Sequence, residues 1–313
     1  MNIKVTIFTP TYKRFDTLYK TIQSVLEQDY SNIEYIISDD GSPDFPYDDI
    51  VKYIECNKPK NIKSYQVLTN EENVGTVKHL NKILKRATGD LFIPLAGDDF
   101  FFNKRVVSQI VTRYSLDNFK VLATSRVKIN SEGKIIGYMP HFKSRDIIAT
   151  SMTTAYQQHK LFTECKSMDF ASGSAMVYDA KFLREMDYFD EKYRLWEDGP
   201  FINKITSKGV SITFAYDIVA IKYSDGGVSS GGNPIIRKDV ELFNESDRWV
   251  NSNNYGWYHK RILQYTKYKY RRFSKLKHLL VKLFYIDVVV DQIIYKLHEM
   301  YNGKSDIIYL NKE

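Results

Sequence analysis

Cysteine is nearly absent. Cys56 and Cys165 are the two in a chain of 313 residues. They form neither a disulfide framework nor a zinc-binding pattern, which points to a reducing cytoplasm. The N-terminal MNIKVTIFTP has no charged region followed by a long apolar one, so no secretory signal is expected. The apolar run at 279–290 is too short and too interrupted to span a bilayer. The histidines are scattered, with no Ser/His/Asp pattern, and no glycine-rich loop ends in Lys-Ser or Lys-Thr. That argues against triad hydrolase and P-loop chemistry. His79, beside Lys78 on a predicted helix, reads as structural or exposed. Internal repeats and low-complexity segments are missing as well.

What remains is an ordinary globular composition, 43% hydrophobic and 27% charged, rich in Tyr and Phe. The length suits one large domain with an appendage, or two domains. The net charge of +7 is unevenly placed. Residues 255–313 hold twelve Lys/Arg against five Asp/Glu, so residues 1–254 are neutral. The basicity belongs to the tail.

The first third alternates strand and helix signals. Short β-branched runs at 4–9, 33–38, 64–69 and 90–96 are separated by amphipathic stretches at 16–28, 47–56 and 76–87. Asp16 is a candidate N-cap, and Gly89 suits a helix C-terminus. This order predicts an α/β fold, a mostly parallel sheet with helices on both faces. In such sheets ligands bind beyond the carboxyl ends of the strands. Four polar clusters fall there: TPTYKR (9–14), DDGS (39–42), NEENVG (70–75) and GDD (97–99). Further on, Ser131-Glu132-Gly133 reads as a hairpin turn. FASGSAMVYDAKFL (170–183) passes from small residues into a strand and a helix. EDGPFINKITSKG (197–209) reads as a helix opened by acids and closed by Gly209, and 211–224 as a strand. DGGVSSGGNP (225–234) reads as a loop, and the last eighty residues as helical.

TPTYKRFDTLYKTIQSVLEQDYSNIEYIISDDGS, then NVG, GDLFIPLAGDD and FDEKYRLWEDGPF resemble family 2 of the inverting glycosyltransferases, with the GT-A fold. The resemblance covers about residues 3–230. It implies a GT-A domain over 1–234 and a separate basic, aromatic-rich helical extension over 235–313. It implies transfer of a sugar from a nucleotide-diphosphate donor, usually a UDP-sugar, to an acceptor hydroxyl. A divalent cation, Mn2+ or Mg2+, bridges the donor diphosphate. Surface polysaccharide, lipopolysaccharide, capsule and teichoic-acid synthesis are the settings it suggests.

The resemblance places Thr9, Pro10 and Tyr12 around the nucleobase; a plain strand-ending turn reads the same way. Asp40 accepts a hydrogen bond from the base, while Asp39 serves as an Asx-type turn or cap. Lys78 faces the donor phosphates or the buried carboxylates, or is a solvated helix lysine; arginine is expected more often there. Asn70 belongs to the same loop. Many members read Asp-x-Asp where this chain has Ala96-Gly97-Asp98, the first contacting the ribose and the last holding the metal. Asp98 is therefore the metal ligand, with Asp99 behind it and Gly97 bringing the backbone close. The alternative is an acidic turn. Asp198 is the general base, oriented by Glu197; an acidic first turn on a helix would look alike. The loop at 224–232 lacks the histidine found there in some members.

The tail interleaves aromatics with nine Lys/Arg and no acid from Tyr255 to Tyr285. It fits helices that pack on the catalytic domain or pair in a homodimer. It also fits peripheral contact with an anionic membrane at the inner face of the cell membrane. Nucleic acid is the least favoured partner. Donor and acceptor, the latter a glycan or a lipid-linked sugar, complete the partners. Two rival functions stand beside transfer. One is a nucleotidyltransferase, disfavoured by the glycine-free TPTYKR loop; the other is an adaptor working through the basic helices.

Overall fold

The computed structural model describes residues 2–167, 169–224, 233–271 and 273–310. Its first third alternates as expected: β1 (Val5–Thr11), α1 (Leu18–Leu26), β2 (Ile33–Asp39), α2 (Tyr47–Asn57), β3 (Ile62–Thr69), α3 (Thr76–Arg86) and β4 (Leu91–Pro94). Next come β5 (Phe100–Phe101), α4 (Val106–Asp117) and the hairpin of β6 (Val121–Ile129) with β7 (Ile135–Met139). Then follow α5 (Phe142–Ser151), α6 (Ala155–Thr163), β8 (Met176–Asp179), α7 (Ala180–Glu185), α8 (Asp198–Ser207) and β9 (Thr213–Tyr223). Helices α9 (Pro234–Glu245), α10 (Trp257–Lys269), α11 (Lys275–Phe284) and α12 (Ile286–Leu310) close the described chain. Most of the 225–234 loop expectation, residues 225–232, lies outside the described residues.

The strands form one sheet in the order β3-β2-β1-β4-β8-β6-β9-β5, with β7 paired to β6. β3, β2, β1 and β4 run parallel, as do β6 and β9, while β8, β5 and β7 are antiparallel to their neighbours. The sheet is thus mixed, with its parallel half at the N-terminus of the chain.

Alternate strand residues feed two cores, because side chains point to opposite faces with period two. Val5, Ile7, Tyr35 and Ile93 pack with α1, α2 and α4 on one face. Phe8, Ile36 and Phe92 pack with α3, α7, α8 and α9 on the other. Phe243 of α9 is fully buried in the second core, so this helix is tied to the sheet. A third, smaller cluster joins Ile262 and Tyr265 of α10 to Tyr285 and Val288.

Two local expectations are corrected. The residue preceding α1 is Thr17, not Asp16, and it makes no side-chain capping bond. Its hydroxyl instead donates to the carbonyl of Gly97 at 3.1 Å. α3 ends at Arg86 and the following Ala87 is extended, so Gly89 is not its cap. A Cβ at Gly89 would stand 2.6 Å from the Thr6 backbone nitrogen. Glycine is there because the chain crosses β1 closely.

Candidate active site

Strand register sets the edge on which the polar loops meet. Thr11 is level with Asp39, and Asp39 with Thr69. Beyond the ends, the Asp40 amide donates to Thr11, the Asn70 amide to Asp39 and the Gly97 amide to Pro10, all through backbone carbonyls at 2.9–3.2 Å. The four loops of the sequence reading are therefore one continuous rim.

Within it, Asp39 holds its own turn. Its carboxylate accepts from the amide and hydroxyl of Ser42. Burial pushes its pKa up, against the opposing effect of those bonds. Asp40 is buried and accepts four bonds at 2.8–3.0 Å: from the Asn70 and Asn73 side chains and the Val74 and Gly75 amides. Four is the full capacity of a carboxylate, so Asp40 here organises the 70–75 loop. Asn70 also accepts from Lys82 at 3.2 Å. Thr9 is buried with its hydroxyl 3.1 Å from the Tyr35 hydroxyl. Pro10 is half-buried, and Tyr12 is exposed beneath the Lys13 ammonium. Lys78 is exposed on the first turn of α3. His79 is structural: it is buried, 2.8 Å from the Ser38 hydroxyl, and desolvation pulls its pKa down to about 4.

The LAGDD segment turns sharply after β4. Gly97 is buried, and its carbonyl accepts from the Thr17 and Thr21 hydroxyls. Asp98 is partly exposed and pairs with the Arg14 guanidinium at 3.2 Å. Asp99 is buried, and desolvation, reinforced by Asp98, pushes its carboxyl up to about 7 against the pull of Arg126.

A second acidic pair opens α8. The Asp198 carboxylate accepts from the Gly173 amide at 2.8 Å and from the Gly199 amide at 2.7 Å. A Cβ on Gly173 would stand 2.5 Å from a Glu197 carboxyl oxygen, so the small-residue stretch is what lets this loop lie on the acids. Burial, then the charge of Asp198, raises the pKa of Glu197.

Arg126 links the two pairs. Ser174, next to the Asp198-bound Gly173, accepts from Arg126 at 3.3 Å, and Arg126 is the cation acting on Asp99. On the other flank Arg194 donates to the carbonyl and side chain of Asn73, and its own carbonyl accepts from the Val77 amide. The loop before α8 is thereby fastened to the loop after β3.

Several of these residues escaped the sequence reading. Arg14, Asn73, Gly173 and Arg194 lie inside quoted segments but were assigned no role. Asp239 had no local signal. From α9 its buried carboxylate accepts from the amides of Arg194, Leu195 and Trp196 at 2.7–3.1 Å, directly ahead of Glu197.

Solved structures share this architecture. S. aureus TarS 1–349 in complex with UDP-GlcNAc superposes with a TM-score of 0.60 at 17% identity, over 98% of this chain and 89% of that one. The mannosyltransferase PcManGT from Pyrobaculum calidifontis, in complex with GDP-Man and Mn2+, gives 0.58 at 14% identity over 99% and 86%. The fold is the GT-A fold of glycosyltransferases. In sequence, an uncharacterized glycosyltransferase of Rickettsia felis is 34% identical over 134 residues, 42% of this chain and 21% of that protein. The chain thus matches about a fifth of the length of such relatives. The UDP-Glc:alpha-D-GlcNAc-diphosphoundecaprenol beta-1,3-glucosyltransferase WfaP of Escherichia coli is 26% identical over 211 residues, 66% of this chain and 71% of that one. The family profile described as Glycosyl transferase family 2 matches residues 6–187, more than half of the chain, and the protein belongs to that family.

Proposed function

We propose that the protein is an inverting glycosyltransferase. It moves a sugar from a nucleotide-diphosphate donor, first of all a UDP-sugar, to an acceptor hydroxyl in cell-envelope polysaccharide synthesis. The observation that carries this reading is the Asp198 carboxylate. It is held by two backbone amides at the start of α8 and linked through Gly173, Ser174 and Arg126 to the Asp98-Asp99 pair. The family supports the activity, and the UDP-Glc donor of WfaP supports the nucleotide.

Asp198 takes the acceptor hydroxyl proton as that oxygen bonds to the anomeric carbon. The bond from that carbon to the diphosphate breaks on the opposite face, and the configuration inverts. Two amide donors keep the carboxylate oriented. Burial and the Asp198 charge raise the pKa of Glu197, which disfavours a second negative charge beside the base. The rim of 9–14, 40–42 and 70–75 receives the nucleotide, with exposed Tyr12 offering a stacking face.

The acidic turn also fits a divalent cation. Asp98 already carries a guanidinium, and Asp99 is a buried carboxyl whose charge is disfavoured until a cation compensates it. Asp98 would hold Mn2+ or Mg2+ with Asp99 beside it. When bound, the cation offsets charge on the leaving diphosphate. Among the described residues no cluster of three or more His, Cys, Asp or Glu side chains could hold a metal. Diphosphate oxygens and water would supply its remaining ligands.

Calorimetry with a panel of UDP-sugars tests the donor half of this reading. Binding with manganese is expected to weaken at least about tenfold in EDTA or on Asp98→Ala, the loss of one charge-assisted contact. UDP affinity indifferent to both contradicts it.

A further inference from the structure

We propose that α11 and α12 form a docking face for an anionic lipid bilayer. α11 has no buried residue. Leu276, Leu279, Leu280, Leu283 and Phe284 recur every three or four positions, the spacing of one helical face. Each is 52–68% exposed. α12 repeats the pattern: Ile286, Val290, Ile293, Ile294, Leu297 and Met300 share one face at 47–62% exposure. Two successive helices thus turn apolar stripes to solvent, a pattern that marks an interaction surface rather than scattered exposed residues.

Charge identifies the occupant. α11 contains no acid. The acids of α12 are each engaged by the rest of the chain. Asp287 accepts from the Arg261 guanidinium at 2.7 and 2.9 Å, and Asp291 pairs with Lys166 at 2.7 Å. Glu299 accepts from the Ser144 hydroxyl at 3.4 Å, and Asp306 lies 2.7 Å from the His141 ring nitrogen. Lys275, Lys277, Lys282 and Lys296 are exposed. Helical spacing puts them at the margins of the stripes.

The face is therefore apolar with cationic borders. A second copy of the chain would bring like-charged borders together. An anionic leaflet neutralises them while its acyl region receives the leucines. Among the described residues no helix is long and apolar enough to cross a membrane. The helices lie in the interface, with lysine stems extending towards the headgroups.

Co-sedimentation of the full chain with phosphatidylcholine vesicles, with and without phosphatidylglycerol, tests the proposal and needs no donor. Strong partition is expected only with the anionic lipid. Leu280→Gln/Leu283→Gln should lower it at least about tenfold by the apolar burial lost. Lys275→Gln/Lys282→Gln should lower it roughly 25-fold, at about fivefold per charge. Circular dichroism verifies that these surface variants fold. Three outcomes overturn the proposal: no partition, equal partition to both vesicles, or partition that folded variants leave unchanged. A dimer in sedimentation velocity that the leucine variant disperses, without vesicle binding, also overturns it and assigns the face to a second copy.

Discussion

Asp40 carries four donors on two oxygens, all of them from a loop thirty or more residues away. Asparagine in its place keeps the shape but turns an amide NH2 towards two of those donors. We expect Asp40→Asn to cost about 3 kcal/mol in denaturant unfolding, the range for buried bonds to a charged group. Amide exchange at Val74 and Gly75 should quicken; unchanged stability and exchange would contradict the assignment. Sequence alone located Asp40 at the end of β2 and offered the base as its partner. It could not show that Asn73 and two backbone amides satisfy the carboxylate, because those contacts depend on how the 70–75 loop folds back. Asp239 was illegible for the same reason. On α9 it is one polar residue among several, and its three amide partners appear only when the helix packs against residues 194–196. By contrast Asp39 was read as a turn former, and Ser42 completes that turn. That contact is local, three residues apart, and local contacts are what a sequence displays.

Elements with a clear period were legible, and the alternation of β1 to β4 with α1 to α3 stands as read. Their ends were less so, since Thr17 turns its hydroxyl to the Gly97 carbonyl instead of capping α1, and the chain leaves α3 extended at Ala87. The packing of α12 was not legible. Its C-terminal half docks where His141 and the Phe142 amide meet the Asp306 carboxylate. Asp306 raises the pKa of His141, chiefly through that hydrogen bond. The folded pKa thus lies above the unfolded value of about 6.5. The stabilisation is fully present below that pH and is lost as pH rises through the elevated folded pKa. Melting of the wild type and of His141→Asn, followed across that range, should show a gap that is largest in acid and closes in alkali. A gap that widens with pH would contradict the clasp.

For the whole molecule, the domain division expected at 234 meets a helix whose side chains serve the sheet. Phe243 fills the second core, and Asp239 holds the segment ahead of Glu197. Helices α10 to α12 share a cluster of their own. We therefore expect a chain ending at 234 to be insoluble or unfolded, and one ending at 254 to fold and bind UDP-sugar. Circular dichroism and donor calorimetry on the two truncations decide this. A folded, donor-binding 1–234 would instead support a boundary at 234. The family was legible because its motifs are short, ordered and confined to strand ends. Donor, acceptor and linkage were not, because no spacing in 140–195 encodes the surface those residues make together.

The central claim is that Asp198 is the base of a sugar transfer. Its most direct test is the transfer rate of Asp198→Asn at saturating UDP-sugar, measured alongside donor affinity by calorimetry. The predicted result is a fall in transfer of about 10²–10⁴-fold, the usual contribution of a general base, with donor affinity unchanged. Transfer at the wild-type rate, with the donor still bound, would contradict it.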